Sequence, residues 1–112
     1  TQEANADQSY KQMLIESAAD DIVLSSLFTG VSGNYLKPSI NKAGLDADNL
    51  PDADKSSMNF GSGGNTEAKA WKDIWGSGQG IGLIEDSPSV SELVGRIKSE
   101  FDTAVSELQG KI

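Results

Sequence analysis

Apolar residues recur at helical spacing in several segments of the chain, and in one short segment they crowd together. Tyr10, Met13, Leu14 and Ala18 follow Asp7 at three- and four-residue intervals, which predicts a helix over 7–19 with Asp7 as its N-cap. The run Asp21-Ile-Val-Leu-Ser-Ser-Leu-Phe28 is rich in β-branched and large apolar residues and predicts a strand over 21–28. Ile22 and Leu24 would face one way and Val23 the other. The strand stops at the loop sequence Thr29-Gly30-Val31-Ser32-Gly33. A lone strand leaves its backbone N–H and C=O groups unpaired. The pattern offers no second convincing strand, so this one is expected to need a partner from outside.

Further along, Asn34 suits an N-cap for a helix over 34–43 carrying Tyr35, Leu36, Ile40 and Ala43. Pro38 lies near its first turn and Gly44 stands at its C-terminal stop. Residues 45–65 read as loop. Asn65 or Thr66 caps a helix over 66–75 whose Ala68, Trp71, Ile74 and Trp75 share one face, as core residues do. A glycine-rich turn follows over 76–86, with Gly76, Gly78, Gly80 and Gly82 alternating. The last segment is the most sharply patterned. Ser87 with Pro88, or Ser89 with Glu92 in a capping box, can open a helix over 88–109. Val90, Leu93, Val94, Ile97, Phe101, Val105 and Leu108 form its continuous apolar stripe, over roughly six turns. Gly95 interrupts it mildly and Gly110 ends it. The expected fold class is mainly α, α+β at most, with about four helices and one short strand in a single domain or fragment.

Composition narrows the function. The chain has 112 residues, which suits one domain. It carries 17 Asp and Glu against 9 Lys and Arg, a net charge of −8, which speaks against nucleic acid and against an anionic membrane surface. Cysteine and histidine are absent, which removes thiolate nucleophiles, disulfides, zinc-thiolate sites and the commonest general base. No apolar run approaches the ~18 residues of a membrane span, and no signal-peptide pattern is present. A cytoplasmic location is expected. The apolar fraction of 37% gives a thin core for the length, which points to a partner chain or to a missing part of the same chain. The chain begins at Thr1 instead of Met, as a processed protein, an engineered expression product or a piece of a longer reading frame would.

The residues offer little catalytic chemistry. Asp20-Asp21 and Glu85-Asp86 are adjacent in sequence and so point apart, which does not make an acid/base dyad. Gly76-Ser77-Gly78 lacks the Gly-x-Ser-x-Gly pattern of a nucleophile elbow, and there is no histidine to serve it. Leu45 to Asp54 is acidic but lacks the central Gly and terminal Glu of an EF-hand loop, so no metal site is assigned. Gly61-Ser62-Gly63-Gly64-Asn65 lacks the Lys-Ser/Thr ending of a P-loop. Gly76 to Gly82 remains. If it opens a helix, its N–H groups suit a phosphate; the alternation of glycines favours a tight turn.

Several runs resemble one family in order along the chain. They are Phe28-Thr29-Gly30, Asn34-Tyr35-Leu36-Lys37-Pro38-Ser39-Ile40, Ala43-Gly44-Leu45-Asp46, Asn59-Phe60-Gly61-Ser62-Gly63-Gly64, and Ala70-Trp71-Lys72-Asp73-Ile74-Trp75-Gly76-Ser77-Gly78-Gln79-Gly80. Together they resemble the C-terminal part of the nitronate monooxygenases, FMN-dependent proteins formerly called 2-nitropropane dioxygenases. The opening Thr1-Gln2-Glu3-Ala4 is similar to the segment that follows the last barrel strand in that family.

The resemblance implies a (β/α)8 parent with a smaller second domain, in which flavin oxidises alkyl nitronates and oxygen reoxidises it. FMN would sit at the C-terminal face of the barrel. It implies that Ser77, Gly78, Gln79 and Gly80 lie close to the flavin, with backbone N–H groups and the Gln79 amide as contacts, and Gln2 and Glu3 at the site's edge. A complete barrel needs about 250 residues. This chain therefore resembles the tail of such an enzyme: no catalytic residue is assigned, and FMN is not expected to bind tightly to it alone. The expected partner is a second copy, through antiparallel pairing of strand 21–28 and through helix 88–109. The competing expectation is an independent, non-catalytic module that binds a small ligand or protein through the Trp71/Trp75 and glycine region.

Overall fold

A computed structural model describes residues 1–51 and 70–112. These residues divide into two compact units, one spanning Gln8–Glu85 and one made of Thr1–Asp7 with Asp86–Ile112.

The Gln8–Glu85 unit begins with helix α1, Gln8–Glu16. It ends sooner than the predicted 19 because the next residues form a different local structure. The Asp21 carboxylate accepts the Ala18 N–H at 2.8 Å, and the Asp21 N–H donates to the Ala18 carbonyl at 2.9 Å. This closes a 3-10 turn over Ala19–Asp21 that delivers the chain into strand β1, Ile22–Ser25. The short polar side chain of Asp thus competes with continued helix by bonding nearby backbone.

The fold is mixed α+β, which corrects the expectation of a mainly helical chain with one short strand. Strand β1 is not alone: it pairs antiparallel with β2, Gly33–Leu36, in the register Ile22↔Leu36, Val23↔Tyr35, Leu24↔Asn34 and Ser25↔Gly33. The sequence pattern predicts a helix over these residues, 34–36. Pro38 explains the difference. Had the helix opened at Asn34, Pro38 would sit where its N–H should bond the Asn34 carbonyl, and its ring would press on that carbonyl. Helix α2 instead starts at Lys37 and runs to Lys42, with Pro38 in the first turn, where no N–H is needed. That frees Tyr35 and Leu36, which suit a strand, to pair with β1. The hairpin loop is held by its own side chains. The Ser25 hydroxyl accepts the Leu27 N–H at 3.1 Å, and Thr29 Oγ1 donates to the Val31 carbonyl at 3.0 Å. Gly30 takes φ 80, a conformation glycine adopts freely.

Helix α2 stops in a Schellman motif. Gly44, at φ 91, donates to the Asn41 carbonyl at 3.0 Å, and Leu45 donates to the Ile40 carbonyl at 3.2 Å. Leu45 then packs on the core formed by Ile40, Ala47 and Ile74, with Val23, Phe28, Tyr35, Ala43 and Leu50 around it. The Phe28 and Tyr35 rings meet edge to face at 4.9 Å. The acidic stretch after Leu45 is a self-bonded turn. Asp46 accepts the Asp48 N–H at 3.0 Å and the Asn49 amide at 2.7 Å. The Asn49 bond and then the Asp48 bond lower the Asp46 pKa. Among the described residues no group of three acidic side chains could hold a metal ion. A helical turn α3, Ala70–Asp73, and a 3-10 turn, Gln79–Leu83, complete this unit. Residues 52–65 of the predicted loop 45–65, with Gly61–Asn65, and the start of helix 66–75 lie outside the described residues.

The second unit is dominated by helix α4, Val90–Gly110. Of the two possible starts the structure has Ser89, whose hydroxyl accepts the Glu92 N–H while the Glu92 carboxylate accepts the Ser89 N–H, each at 3.1 Å. Glu3 adds a third acceptor at this end, taking the Val90 N–H at 2.7 Å, and Gln2 donates to the Pro88 carbonyl at 2.9 Å. Carboxylates here also suit the positive end of the helix dipole. No residue of α4 is buried. Among the described residues no helix is long and apolar enough to cross a membrane.

Asp86 and Arg96 form a two-pronged ion pair at 3.0 and 2.8 Å. The Arg96 hydrogen bonds hold the Asp86 carboxyl below the usual aspartate range. A group with a lowered folded-state pKa contributes stability that is present above its ordinary value and lost as pH falls through the lowered one. Carboxyl-carbon NMR should therefore show Asp86 titrating below the ordinary aspartate range. Arg96→Gln should move it back up; an unchanged Asp86 titration would show that the pair does not persist in solution.

Candidate functional site

The segment Trp75–Gly80 is positioned by residues far away in sequence. Ile74 is buried at 4% exposure and belongs to the core. Trp75 and Gly76 leave helical structure and run along β2. The Leu36 N–H donates to the Trp75 carbonyl at 2.8 Å, and Tyr35 bridges to Gly76 in antiparallel fashion. Ser39, 1% exposed, ties the arrangement together with one hydroxyl. It donates to the Leu36 carbonyl at 2.8 Å and accepts the Trp75 N–H at 3.0 Å. From the other side the Tyr10 hydroxyl donates to the Gly76 carbonyl at 2.8 Å, and its ring meets Trp75 edge to face at 5.3 Å. The Trp75 indole N–H donates back to the Lys72 carbonyl at 2.9 Å.

Beyond Gly76 the chain is anchored again at Ile81, which is 1% exposed. Its N–H donates to the Gly78 carbonyl at 3.0 Å, closing the 3-10 turn Gln79–Leu83. This turn packs against the Ala19–Asp21 turn, where Gly82 comes near the Ala19 nitrogen. Ser77 to Gly80 is thus a short bridge between two fixed points. Ser77 is half-buried, and Gly78, Gln79 and Gly80 are exposed.

The four alternating glycines have different reasons to be there. A Cβ on Gly76 would lie 3.2 Å from the Asn34 carbonyl oxygen, so the close approach to β2 favours glycine. Gly78 and Gly80 have no such reason. Neither has a positive φ, and a Cβ on either would meet no described atom within 4 Å. Their small size leaves the exposed face of the bridge bare. In the 3-10 turn the N–H groups of Gln79 and Gly80 come before the first internal bond, made by Ile81, so the turn itself gives them no acceptor.

The other residues assigned to the site's edge are placed differently. Gln2 and Glu3 bond the start of α4. The Trp71 side chain and Ala68 lie outside the described residues. A shallow groove of about 790 Å³ is lined by residues including Gln12, Glu16, Asp21, Pro38 and Lys42, and none of Ser77–Gly80 contributes to it. The residues that matter most for positioning, Ser39 and Tyr10, escaped the sequence pattern. Ser39 looked like an ordinary helix residue, and only the closure of β2, α2 and Trp75 on one another shows its use.

No family model matches the chain, and neither a curated protein nor a solved structure matches it.

Replacing Ser39 with Ala should leave the buried Leu36 carbonyl and the half-buried Trp75 N–H each short of a partner. The expected loss is about 1–3 kcal/mol of unfolding free energy in a urea titration. Tyr10→Phe keeps the ring contact with Trp75 and loses only the bond to Gly76, so it should cost about 1 kcal/mol. Equal and negligible effects of the two changes would show that the bonds around Trp75 and Gly76 do not hold this segment.

Proposed function

We propose that this chain is the C-terminal part of a flavoprotein resembling the nitronate monooxygenases, located in the cytoplasm, and that it supplies one rim of the FMN site. The in-order sequence resemblance supports this reading. The structural observation that carries it is the bare bridge at Gly78–Gly80: two glycines that, among the described residues, neither backbone conformation nor packing requires, flanking an exposed Gln79. Glycine at such a point lets a ligand reach the backbone.

The residues fit FMN as one edge of a site. The Gln79 amide offers donors and an acceptor, and the N–H groups of Gly78, Gln79 and Gly80 offer further donors toward flavin or phosphate oxygens. When bound, FMN supplies the redox chemistry of the parent enzyme. Ile81 and the bonds on Trp75 and Gly76 fix both ends of the bridge, so its donors are held in place before a ligand arrives. The chain provides no histidine or cysteine for the reaction itself. Oxidation of a nitronate is accordingly a property of the parent, and this chain alone is inactive and holds FMN weakly. Self-association remains part of the proposal through helix α4; the pairing of β1 with β2 removes the reason for a second copy to pair with strand 21–28.

An FMN titration followed by amide NMR tests the reading. Added FMN should shift the Gly78, Gln79 and Gly80 amides without saturating tightly. Gly78→Ala and Gly80→Ala should each leave stability within about 0.5 kcal/mol, as surface changes do, and abolish those shifts. Tight FMN binding would favour the independent ligand-binding module. Shifts centred elsewhere, or none, would remove the flavin reading.

A further inference from the structure

Away from the Ser77–Gly80 bridge, the Gln8–Glu85 unit carries the groove of about 790 Å³, a volume in the range of small-molecule sites. One wall is α1 with the residues that follow it, and the other is α2. Met13 and Pro38 give the groove apolar surface, and Glu16, Ser17, Asp21 and Lys42 give it polar groups. Ser17 differs from the other three. It is 8% exposed, and its hydroxyl has no hydrogen-bond partner among the described residues. Among those residues no polar side-chain atom is both fully enclosed and unpaired, so the Ser17 oxygen keeps an opening, and the groove is where it opens. A buried hydroxyl without a partner is costly, and a ligand that pairs it relieves that cost.

The charges around Ser17 indicate what such a ligand carries. Glu16 accepts the Gln12 amide with Oε1 at 2.7 Å, and Asp21 accepts the Ala18 N–H with Oδ2 at 2.8 Å. Each carboxylate thus keeps its second oxygen for another donor. Glu16 and Ser17 stand at the C-terminal end of α1, the negative end of its dipole, and Asp21 follows in the next turn. This end of the groove suits an ammonium group. Lys42 ends α2 on the other wall. It is exposed and forms no ion pair with either carboxylate, although all three line the same groove. Opposite charges are thus held around one groove without meeting, with Met13 and Pro38 available to contact a short carbon chain.

We propose that the groove between α1 and α2 binds a small amino-acid zwitterion. Its ammonium group donates to Glu16, Asp21 and the Ser17 hydroxyl, and its carboxylate meets the Lys42 ammonium. A charged donor on Ser17 gives the stronger kind of hydrogen bond, and a ligand with both charges satisfies both walls at once. A simple anion would meet two carboxylates, and a simple cation would meet Lys42. The inference is independent of the flavin reading, since it uses neither Ser77–Gly80 nor FMN.

Amide NMR of the whole chain tests it, with glycine, 4-aminobutyrate and 6-aminohexanoate as zwitterions of increasing charge separation. Butylamine and butyrate carry one charge each and serve as comparisons. At least one zwitterion should shift the Ser17, Asp21 and Lys42 amides saturably. Butyrate should leave them in place, and butylamine should bind about tenfold more weakly than the best zwitterion. Ser17→Ala should weaken that zwitterion about tenfold while the amides of α4 stay where they were. Lys42→Gln should weaken it by a similar factor and leave butylamine binding unchanged or tighter. No saturable shift with any of the three zwitterions would overturn the proposal. So would butylamine binding as tightly as the best of them, or zwitterion binding that neither Ser17→Ala nor Lys42→Gln alters.

Discussion

One buried hydroxyl holds the Gln8–Glu85 unit in its arrangement. Ser39 Oγ donates to the end of β2 and accepts from Trp75, so a single atom links strand, helix and the returning chain. Its value comes from where it is. Inside a protein an unpaired backbone N–H or C=O is costly, and a group that pairs two of them at once is hard to replace. With Trp75 fixed, the Leu36 N–H reaches the Trp75 carbonyl, Gly76 lies against β2, and Tyr10 closes on the Gly76 carbonyl. Segments near residues 10, 36, 39 and 75 are brought together by backbone pairing and two side-chain hydroxyls, with Ile40, Ala47 and Ile74 filling the space beneath. A thin apolar core is thus supplemented by a small number of directed bonds.

The sequence showed those features that depend on near neighbours. The Gly44 stop of α2, the Ser89–Glu92 box of α4 and the β character of Ile22–Ser25 are all written in residues a few positions apart. It failed where two readings competed locally and a distant contact chose between them. Asn34-Tyr35-Leu36 can open a helix or form a strand. The Pro38 ring penalises the first, and β1 on one edge with Trp75–Gly76 on the other rewards the second. Once β2 is seen as a strand, β1 has a partner, and the inference drawn from its isolation falls away. The same strand pairing turns a mainly helical expectation into a mixed α+β fold.

At the candidate site, the exposed Gly-Gln-Gly bridge was legible as a glycine turn. The division of labour among its glycines was not. Gly76 is small because β2 is close; Gly78 and Gly80 are small for no reason inside the described residues. That contrast needs coordinates, since spacing treats all four alike. Tyr10 and Ser39 were invisible for a related reason: their partners are 66 and 36 positions away, and nothing in a helical stripe marks them. In α4 the opposite holds. Its stripe and its two candidate caps are local and were legible; among the described residues the structure has the Ser89–Glu92 cap and leaves Val94, Ile97, Phe101 and Leu108 exposed.

Trp75–Gly76 and Ile81 are fixed points, and Gly78–Gly80 is an open bridge between them. Residue-resolved hydrogen exchange measures this directly. Slow exchange is expected at the Leu36, Trp75 and Ile81 amides, each of which donates inside the unit, and exchange near the free-chain rate at Gln79 and Gly80. Fast exchange at Trp75 and Leu36, or protection at Gln79 and Gly80 equal to theirs, would contradict it.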